Sequence, residues 1–513
     1  MAATRDPRSP CLIGVARRTW HPEECGEDGA PEPLDMWAEM ARAAAADSAG
    51  RGELLDRLGR IDVVYCQSWQ YDDPAGRLAE RIGASPKVGG YSGIGGTVPQ
   101  VLLSRMARDV LAGRLDLGLV VGAEALATRR RLRKAGARPA WSHPPAEKRP
   151  FPYDLPVHPG EAAHQIFEAW LTFALFDNAH RARSGTGLDD YRRRLGALLS
   201  PMTAVAAAEP NAWFRMSRAA DEIVTPTPDN RMVGYPYTKL MTAVMDVDMA
   251  AAVLVASDET ADALGVPADR RVYLRGWGYA EDPVHLASRA DLWRSGAMAA
   301  ASGAALAGAG VPAEGIDHLD LYSCFTSSVL FALDALGLDP GASSRDEPGA
   351  PARPLTVTGG LPYHGGPGSN YMTHSIAAMA ERLRADPGTF GLVSGVGMHM
   401  NKHVFAAYST EPGPLVPPDD EEVGARARME ERPVLESAEG PARVATYSVV
   451  HGRDGAPEWG ALVCDLDGPA GAARCYARLS DPEALTEAER VELVGRAVTL
   501  EAGEGRTEAR LLP

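Results

Sequence analysis

The amino-acid sequence predicts an α/β protein with a duplicated core and a small β domain near its carboxyl end. Short apolar runs typical of buried strands alternate with stretches that carry apolar residues at helical spacing. This alternation occurs twice, in residues 1–268 and again in residues 269–410. Because strands that alternate with helices form a parallel sheet covered on both faces, each part is expected to be one α/β unit with parallel strands.

The first unit contains strand-like runs separated by helical stretches. The helical stretches are predicted over residues 33–58 and 98–111. The strand-like runs are residues 11–16 (CLIGVA), 61–66 (IDVVYC), 117–122 (LGLVVG) and 249–256 (MAAAVLVA).

Residues 128–240 interrupt this alternation and are predicted to form an inserted cap. Helices are expected within it over residues 160–183 and 191–208. A basic run, RRRLRK at residues 129–134, opens the cap. The run suits an anionic ligand, but charge runs are more often solvated surface, so we expect an exposed loop.

The second unit repeats the alternation, and a β domain follows it. The predicted strands are residues 318–322 and 390–395, and the predicted helices are residues 327–338 and 373–384. Residues 411–436 are rich in proline and acidic side chains, as is typical of a linker. Residues 437–513 are expected to be a small β domain, with strands over residues 443–449, 461–466 and 474–479.

Length and composition exclude several classes of protein. The 513 residues are enough for two or three domains, and the formal charge of −16 disfavours nucleic acid or an anionic bilayer as the main partner. No apolar stretch is long enough to span a membrane, and residues 1–18 lack an apolar signal core. The six cysteines are scattered and include no CxxC pair, so no metal site is predicted. We expect a cytoplasmic protein.

The first of several glycine-rich segments precedes the helix predicted over residues 98–111. Its sequence is YSGIGGTVPQ, in which Gly95 and Gly96 allow a tight turn, Thr97 suits a helix N-cap and Pro99 suits the first helical turn. The start of a helix offers N–H groups and the positive end of a dipole to an anion or a polarised carbonyl. The alternative is a well-capped helix with tight sheet packing.

The second segment, LYSCFTSS, follows the predicted strand at residues 318–322. Polar side chains at the end of a strand lie where α/β proteins usually bind ligands. Tyr322 is a candidate proton or hydrogen-bond donor, and Cys324 is a candidate nucleophile if its pKa is lowered. The alternative is a buried cysteine beside a core tyrosine.

Two further segments carry histidines. In TGGLPYHGGPGSNYMTH, Tyr363 and His364 are acid–base candidates, and His364 is expected to titrate near neutrality. The alternative is a solvated loop histidine that takes no part in chemistry. In VSGVGMHMNKH, at and beyond the end of a buried strand, the candidate binding residues are Ser394, Gly397 and His399.

The chain resembles the thiolase superfamily in a series of motifs and in their order. Along the sequence these motifs are GIGGT, LGLVVGAEAL, DLYSCF, TGGLPYHGGPG and LVSGVGM. LYSCF is similar to the HDCF motif of the superfamily's sterol-carrier-type branch, and residues 437–513 resemble the OB-like domain added in actinobacterial thiolase-like proteins. The resemblance implies a duplicated αβαβα sandwich, a cap that holds coenzyme A, and an active site where helices of the two halves meet. It also implies an acyl-CoA thioester as substrate with no other cofactor.

The residues that a thiolase needs are missing at the matching positions. The nucleophilic cysteine falls on Gly96 or Thr97, and the second cysteine falls on Ser394. The histidine of the GHP motif falls on Gly366, and that of HDCF falls on Tyr322. Without a thiolate, the usual acyl-enzyme route is closed.

Two tyrosines suggest a different chemistry. Tyr322 and Tyr363 stand where thiolase-like retro-aldolases of steroid side-chain breakdown are similarly rich in tyrosine. Those enzymes cleave 3-hydroxyacyl-CoA without a covalent thioester and require an OB-like partner domain. A tyrosine acts as a base near neutrality only if its neighbours lower its pKa, which is ordinarily near 10.

Three hypotheses follow. The first is a carbon–carbon bond-forming or bond-cleaving enzyme on acyl-CoA without a cysteine acyl-enzyme, using Tyr322, Tyr363 or His364, with Gly95, Gly96 and Thr97 cradling an oxyanion. The second is a non-catalytic acyl-CoA binding protein. The third is an acetyl-CoA acetyltransferase that uses a substitute nucleophile such as Cys324. The resemblance also leaves a homodimer possible, with a monomer as the alternative.

Overall fold

A computed structural model describes residues 6–26, 29–152, 156–339, 353–466, 473–503 and 505–512. The strands are β1 (Pro10–Thr19), β2 (Arg60–Val63), β3 (Val88–Tyr91), β4 (Leu117–Ala125), β5 (Met232–Gly234), β6 (Tyr237–Thr238), β7 (Asp248–Ser257), β8 (Val272–Glu281), β9 (His318–Asp320), β10 (Phe390–Gly397), β11 (Lys402–Ser409), β12 (Val434–Leu435), β13 (Gly440–His451), β14 (Pro457–Leu466), β15 (Arg474–Leu479), β16 (Ala497–Ala502) and β17 (Thr507–Leu511). The α-helices are α1 (Pro33–Asp47), α2 (Pro74–Ile82), α3 (Val98–Leu111), α4 (Leu126–Lys134), α5 (Pro159–Ala163), α6 (Ala169–Arg183), α7 (Leu188–Ala208), α8 (Ala220–Val224), α9 (Asp258–Ala263), α10 (Gly296–Ala309), α11 (Thr326–Leu336), α12 (Tyr371–Ala385), α13 (Asp420–Ala427) and α14 (Pro482–Ala488).

The large sheet is built from two copies of one topology. Its strand order is β3-β2-β4-β7-β1-β8-β11-β10-β9. Counted outward from the centre of the sheet, the strands of the first unit follow the order β1, β7, β4 and β2. Those of the second unit follow the order β8, β11, β10 and β9. The neighbours along each series pair antiparallel, antiparallel and then parallel. The duplicated α/β core is therefore confirmed, and the central strands β1 and β8 join the two copies. The expected parallel sheet is wrong, because five of its eight described strand pairs, all in the centre from β4 to β10, are antiparallel.

Helices cover the sheet and bring the two units together. Helices α1 and α2 pack on the first unit, and α10 packs on the second. Helices α3 and α12 hold matching places in the two copies, contact each other and both contact β7. Thr97 is at the N-cap of α3 as predicted, although its side chain makes no capping hydrogen bond. The helix predicted over residues 33–58 is shorter, because the chain turns at Ala49, which has a φ of 51°.

The cap contains helices α6 and α7 near the predicted positions. The basic run that opens it is part of helix α4, so the predicted loop is wrong. Leucine, alanine and arginine favour a helix there, and no glycine interrupts the run before Gly136. Arg129, Arg130 and Arg133 are exposed, and Arg130 forms an ion pair with Asp246.

The carboxyl-terminal strands form a small barrel. Strand β13 pairs with β14, β14 with β15, β15 with β17, β17 with β16, and β16 with β13, which closes the ring. Strand β5 of the cap also pairs with β13, through Gly234 and Val450. The stretch predicted as a linker contains α13 and β12, and α13 packs on α10 and β8. The domain boundaries at residues 268, 410 and 436 stay predictions.

In the part of the chain that the structure describes, no helix is both long and apolar enough to cross a membrane.

Candidate functional site

The predicted turn at Gly96 lies against Tyr322. A methyl group added to Gly96 would lie 2.6 Å from Cζ of Tyr322, and closer still to its hydroxyl oxygen and to the carbonyl oxygen of Val396. The phenol therefore fills the space that a side chain at position 96 would take. This turn immediately precedes helix α3, so the phenol lies beside the positive end of a helix dipole.

The end of strand β10 forms a second wall of the turn. The Tyr322 backbone N–H donates to Ser394 Oγ over 2.9 Å. A methyl group on Gly397 would lie 3.4 Å from Oγ1 of Thr97. The Gly95 N–H donates to Ser369 Oγ over 3.0 Å, which attaches the segment before α12. The structure thus brings Gly95, Gly96, Thr97, Tyr322, Ser394 and Gly397 together.

Tyr371, which sequence reasoning missed, supports Tyr322 from behind. The two rings meet edge to face with centroids 5.4 Å apart. The Tyr371 hydroxyl is 2.7 Å from Oγ1 of Thr358 and donates to Asp320 over 3.1 Å. Burial raises the pKa of both phenols, most strongly for Tyr371, so both are neutral hydrogen-bonding groups near neutral pH.

His364 is one ring removed from the turn. Its ring centroid lies 6.1 Å from that of Tyr371 and 5.6 Å from that of His374. The side chain is fully buried, and burial together with the nearby His374 holds its pKa well below the ordinary value. His364 is therefore an uncharged imidazole, and the expectation of titration near neutrality is wrong.

Tyr363 points elsewhere in the interior. Its hydroxyl is buried and has no hydrogen-bond partner among the described residues, and burial raises its pKa. Backbone bonds from Trp213 and Phe214 to the carbonyls of His364 and Tyr363 attach the cap to this segment. No described contact joins Tyr363 to the Gly96 turn.

Cys324 is a poor nucleophile in this environment. Burial raises the pKa of its thiol to about 12, and its Sγ lies 3.7 Å from Ser328 Oγ. The thiolate is the nucleophilic form of cysteine, and it is scarce at neutral pH when the pKa is this high. The geometry gives no support to Cys324 as a substitute nucleophile.

His399 lies outside the cluster, under the cap. Its Nδ1 is 3.2 Å from Thr172 Oγ1, and burial lowers its pKa. It lines a small pocket with mostly apolar neighbours, which are Pro156, Val157, Glu161, Ile166, Phe167, Thr172, Val284 and Leu286. The residues that line this pocket include none of those at the Gly96 turn.

A buried carboxyl group, also missed by sequence reasoning, lies under the segment before α12. Glu124 accepts hydrogen bonds from the N–H groups of Gln67 over 2.7 Å and of Ser68 over 2.8 Å. A methyl group on Gly368 would lie 2.6 Å from Glu124 Oε1. Burial raises the pKa of Glu124 to about 7.

No group of three or more His, Cys, Asp or Glu side chains among the described residues is arranged to hold a metal ion. The candidate site therefore consists of backbone N–H groups at a helix start, neutral hydroxyl groups and an uncharged imidazole. Such groups donate hydrogen bonds to a carbonyl oxygen or to an oxyanion.

The duplicated sheet, the cap and the glycine turns define a thiolase-like fold. The structure is similar to the monomeric SCP2-thiolase-like protein type 1 from Mycobacterium smegmatis, with a TM-score of 0.84 and 29% identity over 99% of this chain and 100% of that chain. The dimeric peroxisomal thiolase of Saccharomyces cerevisiae gives a TM-score of 0.52 at 12% identity, over 79% of this chain and 98% of that chain. The Ltp2–ChsH2(DUF35) aldolase gives 0.56 at 18% identity, over 78% and 98%. No protein-family model and no curated protein matches the chain.

Proposed function

We propose that the chain binds acyl-CoA thioesters at the Gly96 turn and makes or breaks a carbon–carbon bond there without a cysteine acyl-enzyme. The proposal rests on the position of the Tyr322 phenol, which occupies the space that a side chain at position 96 would take. In place of a nucleophile, the site offers a neutral hydrogen-bond donor beside a helix start. A thioester oxygen accepts such bonds, and they strengthen as negative charge develops on it.

The proposed reaction in the cleavage direction acts on a 3-hydroxyacyl thioester. The 3-hydroxyl loses its proton to a base, and the bond between the second and third carbons breaks. An aldehyde or ketone leaves, and the electron pair stays on the thioester as an enolate, which then takes up a proton. Tyr322 would donate to the enolate oxygen. His364 is unprotonated, as a base must be, although burial makes it a weak one.

A non-catalytic acyl-CoA binding protein is the second candidate, and one observation favours it. Burial raises the pKa values of Tyr322, Tyr363 and Cys324 and lowers that of His364, so each of these candidates is held in its uncharged form. Catalytic acids and bases work best with pKa values near the operating pH. A site of this kind binds a polar ligand without supplying a strong base.

We also propose that the barrel is OB-like. The ring order β13-β14-β15-β17-β16, with α14 between β15 and β16, supports a five-stranded Greek-key barrel of that type. We further propose that the chain belongs to the sterol-carrier-type branch of actinobacterial thiolase-like proteins, and that it is a cytoplasmic protein. The similarity to a monomeric protein over the full chain supports a monomer rather than a homodimer.

Mass-spectrometric product analysis tests the function directly. The purified chain is incubated with 3-hydroxyacyl-CoA esters of several sizes, and separately with 3-ketoacyl-CoA plus CoA. We expect release of an aldehyde or ketone from the hydroxy esters and no thiolysis of the keto esters. Saturable ester binding with no product would support the binding protein instead. The absence of both binding and product would refute both candidates.

A further inference from the structure

The hairpin turn after strand β10 is strained and lies next to the candidate site. Register pairs Gly397 with Lys402, which leaves residues 398–401 as the turn. Met398 has a φ of 54° and Met400 a φ of 57°, both in the left-handed region that non-glycine residues rarely adopt. Such conformations persist only where the surroundings enforce them. Since Gly397 backs onto Thr97, the conformation of this turn sets one wall of the site.

Several groups hold the turn: the Asp282 N–H donates to the Asn401 carbonyl over 2.8 Å, and the His403 ring lies 3.1 Å from the Met400 carbonyl. Arg289 also bonds to it. Its side chain is fully buried and donates from Nη2 to the His399 carbonyl over 3.3 Å and from Nε to the Pro283 carbonyl over 3.1 Å. The guanidinium also stacks 4.5 Å from the ring centroid of Phe176 in helix α6. A charged side chain is buried at high cost, which the carboxylate of Asp282, 3.8 Å from Nη1, and the two carbonyls offset together.

The barrel holds the segment that carries Arg289. Arg474 of strand β15 donates to the backbone carbonyl of Arg289, to that of Ala287 over 3.4 Å and to that of Ala290 over 3.1 Å. The Ala287 N–H donates to the Tyr476 hydroxyl over 3.1 Å. The same hydroxyl donates to Glu161 in the cap over 2.8 Å. The guanidinium of Arg474 is fixed in turn by Asp465.

These contacts form a continuous chain from the barrel to the site. We propose that the barrel is a working part of the site, because Arg474 and Tyr476 fix residues 287–290 so that Arg289 can hold the strained turn of residues 398–401 against the Gly96 turn. Arg289, Arg474 and Tyr476 are thus positioning residues for thioester binding. This role in binding rests on the proposed function, whereas the mechanical part stands without it.

The test combines hydrogen–deuterium exchange with ligand titration. Arg474→Lys keeps the charge beside Asp465 but loses the fork that reaches several carbonyls. We expect amide exchange in peptides covering residues 282–292 and 396–404 to become about fivefold faster, as for the loss of one hydrogen bond. Exchange in β1 and β7 should stay unchanged. Titration with acetyl-CoA should show weaker binding.

Arg478→Lys on the same strand is the matched control, since Arg478 stacks on Trp459 of the barrel, 4.3 Å from the ring centroid. It should leave both peptides and the titration unchanged. Should Arg474→Lys loosen the whole chain, Tyr476→Phe decides, because it removes one hydroxyl and keeps the ring. Unchanged exchange at residues 396–404 in a folded Arg474→Lys or Tyr476→Phe variant overturns the proposal. Faster exchange at residues 396–404 in either variant supports the proposal that the barrel fixes the turn. If the unaltered chain binds no ester, that result counts against the proposed function and not against the fixing of the turn.

Discussion

Replacing Gly96 with alanine should destabilise the core, because position 96 has no room for a side chain. The new methyl would lie 2.6 Å from Cζ of Tyr322 and nearer to the Val396 carbonyl oxygen. Carbon atoms in ordinary contact lie about 3.5–4.0 Å apart, so the neighbours must retreat by roughly 1 Å. Overpacking substitutions typically cost about 1–3 kcal/mol. We expect the upper part of that range, because Val396 belongs to a buried strand whose backbone cannot rotate away.

Urea unfolding followed by tryptophan fluorescence measures the effect. Gly93→Ala is the matched control, since Gly93 lies in the same segment with nothing within 4 Å of an added methyl. It should shift the unfolding free energy by less than about 0.5 kcal/mol, as expected for an exposed substitution. If Gly96→Ala unfolds at the same urea concentration as Gly93→Ala, the close approach of Tyr322 to the Gly96 turn is wrong.

Three further results are expected. Tyr322→Phe should weaken acyl-CoA binding roughly 2- to 12-fold in calorimetric titration, the range for one lost hydrogen bond, and unchanged affinity would remove Tyr322 from the site. Because burial raises the pKa of Glu124 to about 7, the folded chain binds that proton more tightly than the unfolded chain, so stability is lost as pH rises from about 5 to 8. Glu124→Gln should show a smaller difference in urea midpoint between those pH values, and an equal difference would contradict the assignment. Burial raises the pKa of Cys324 to about 12, so iodoacetamide should alkylate it more slowly at pH 8 than the partly exposed Cys25. Peptide mass spectrometry measures both rates, and rapid modification of Cys324 would make it a candidate nucleophile again.

The core could be predicted from sequence because its signals are local. Strand β7 is buried along its whole length and is apolar without interruption over residues 249–256, and α3 has a proline in its first turn and one apolar face. The residue types of α4 favour a helix, whereas its run of positive charge favours the exposed loop predicted above, which the structure contradicts. Surface charge says little about backbone conformation, which explains that error.

The candidate site was predicted only in part, because its decisive contacts join distant residues. The glycine turn and Tyr322 were both selected from sequence, yet nothing local indicates that the phenol of residue 322 enters the space of residue 96. Tyr371 precedes the helix predicted over residues 373–384, and nothing local in the sequence indicates its bonds to Thr358 and Asp320. Protonation depends on burial, which sequence does not report for a single histidine such as His364.

The pairing of β5 with β13 has a consequence for synthesis of the chain. Strand β5 leaves the ribosome about 200 residues before its partner strand in the barrel. The ribosome adds roughly 5–20 residues per second, so about 10–40 s pass before the barrel strand is made. During this time, the edge strand β5 of the cap and the face of α6 that contacts the barrel have no partner. An unpaired strand edge of this kind is a template for aggregation. We therefore expect the nascent chain to depend on chaperones until β13 emerges, and slow translation between residues 240 and 440 to lower its soluble yield.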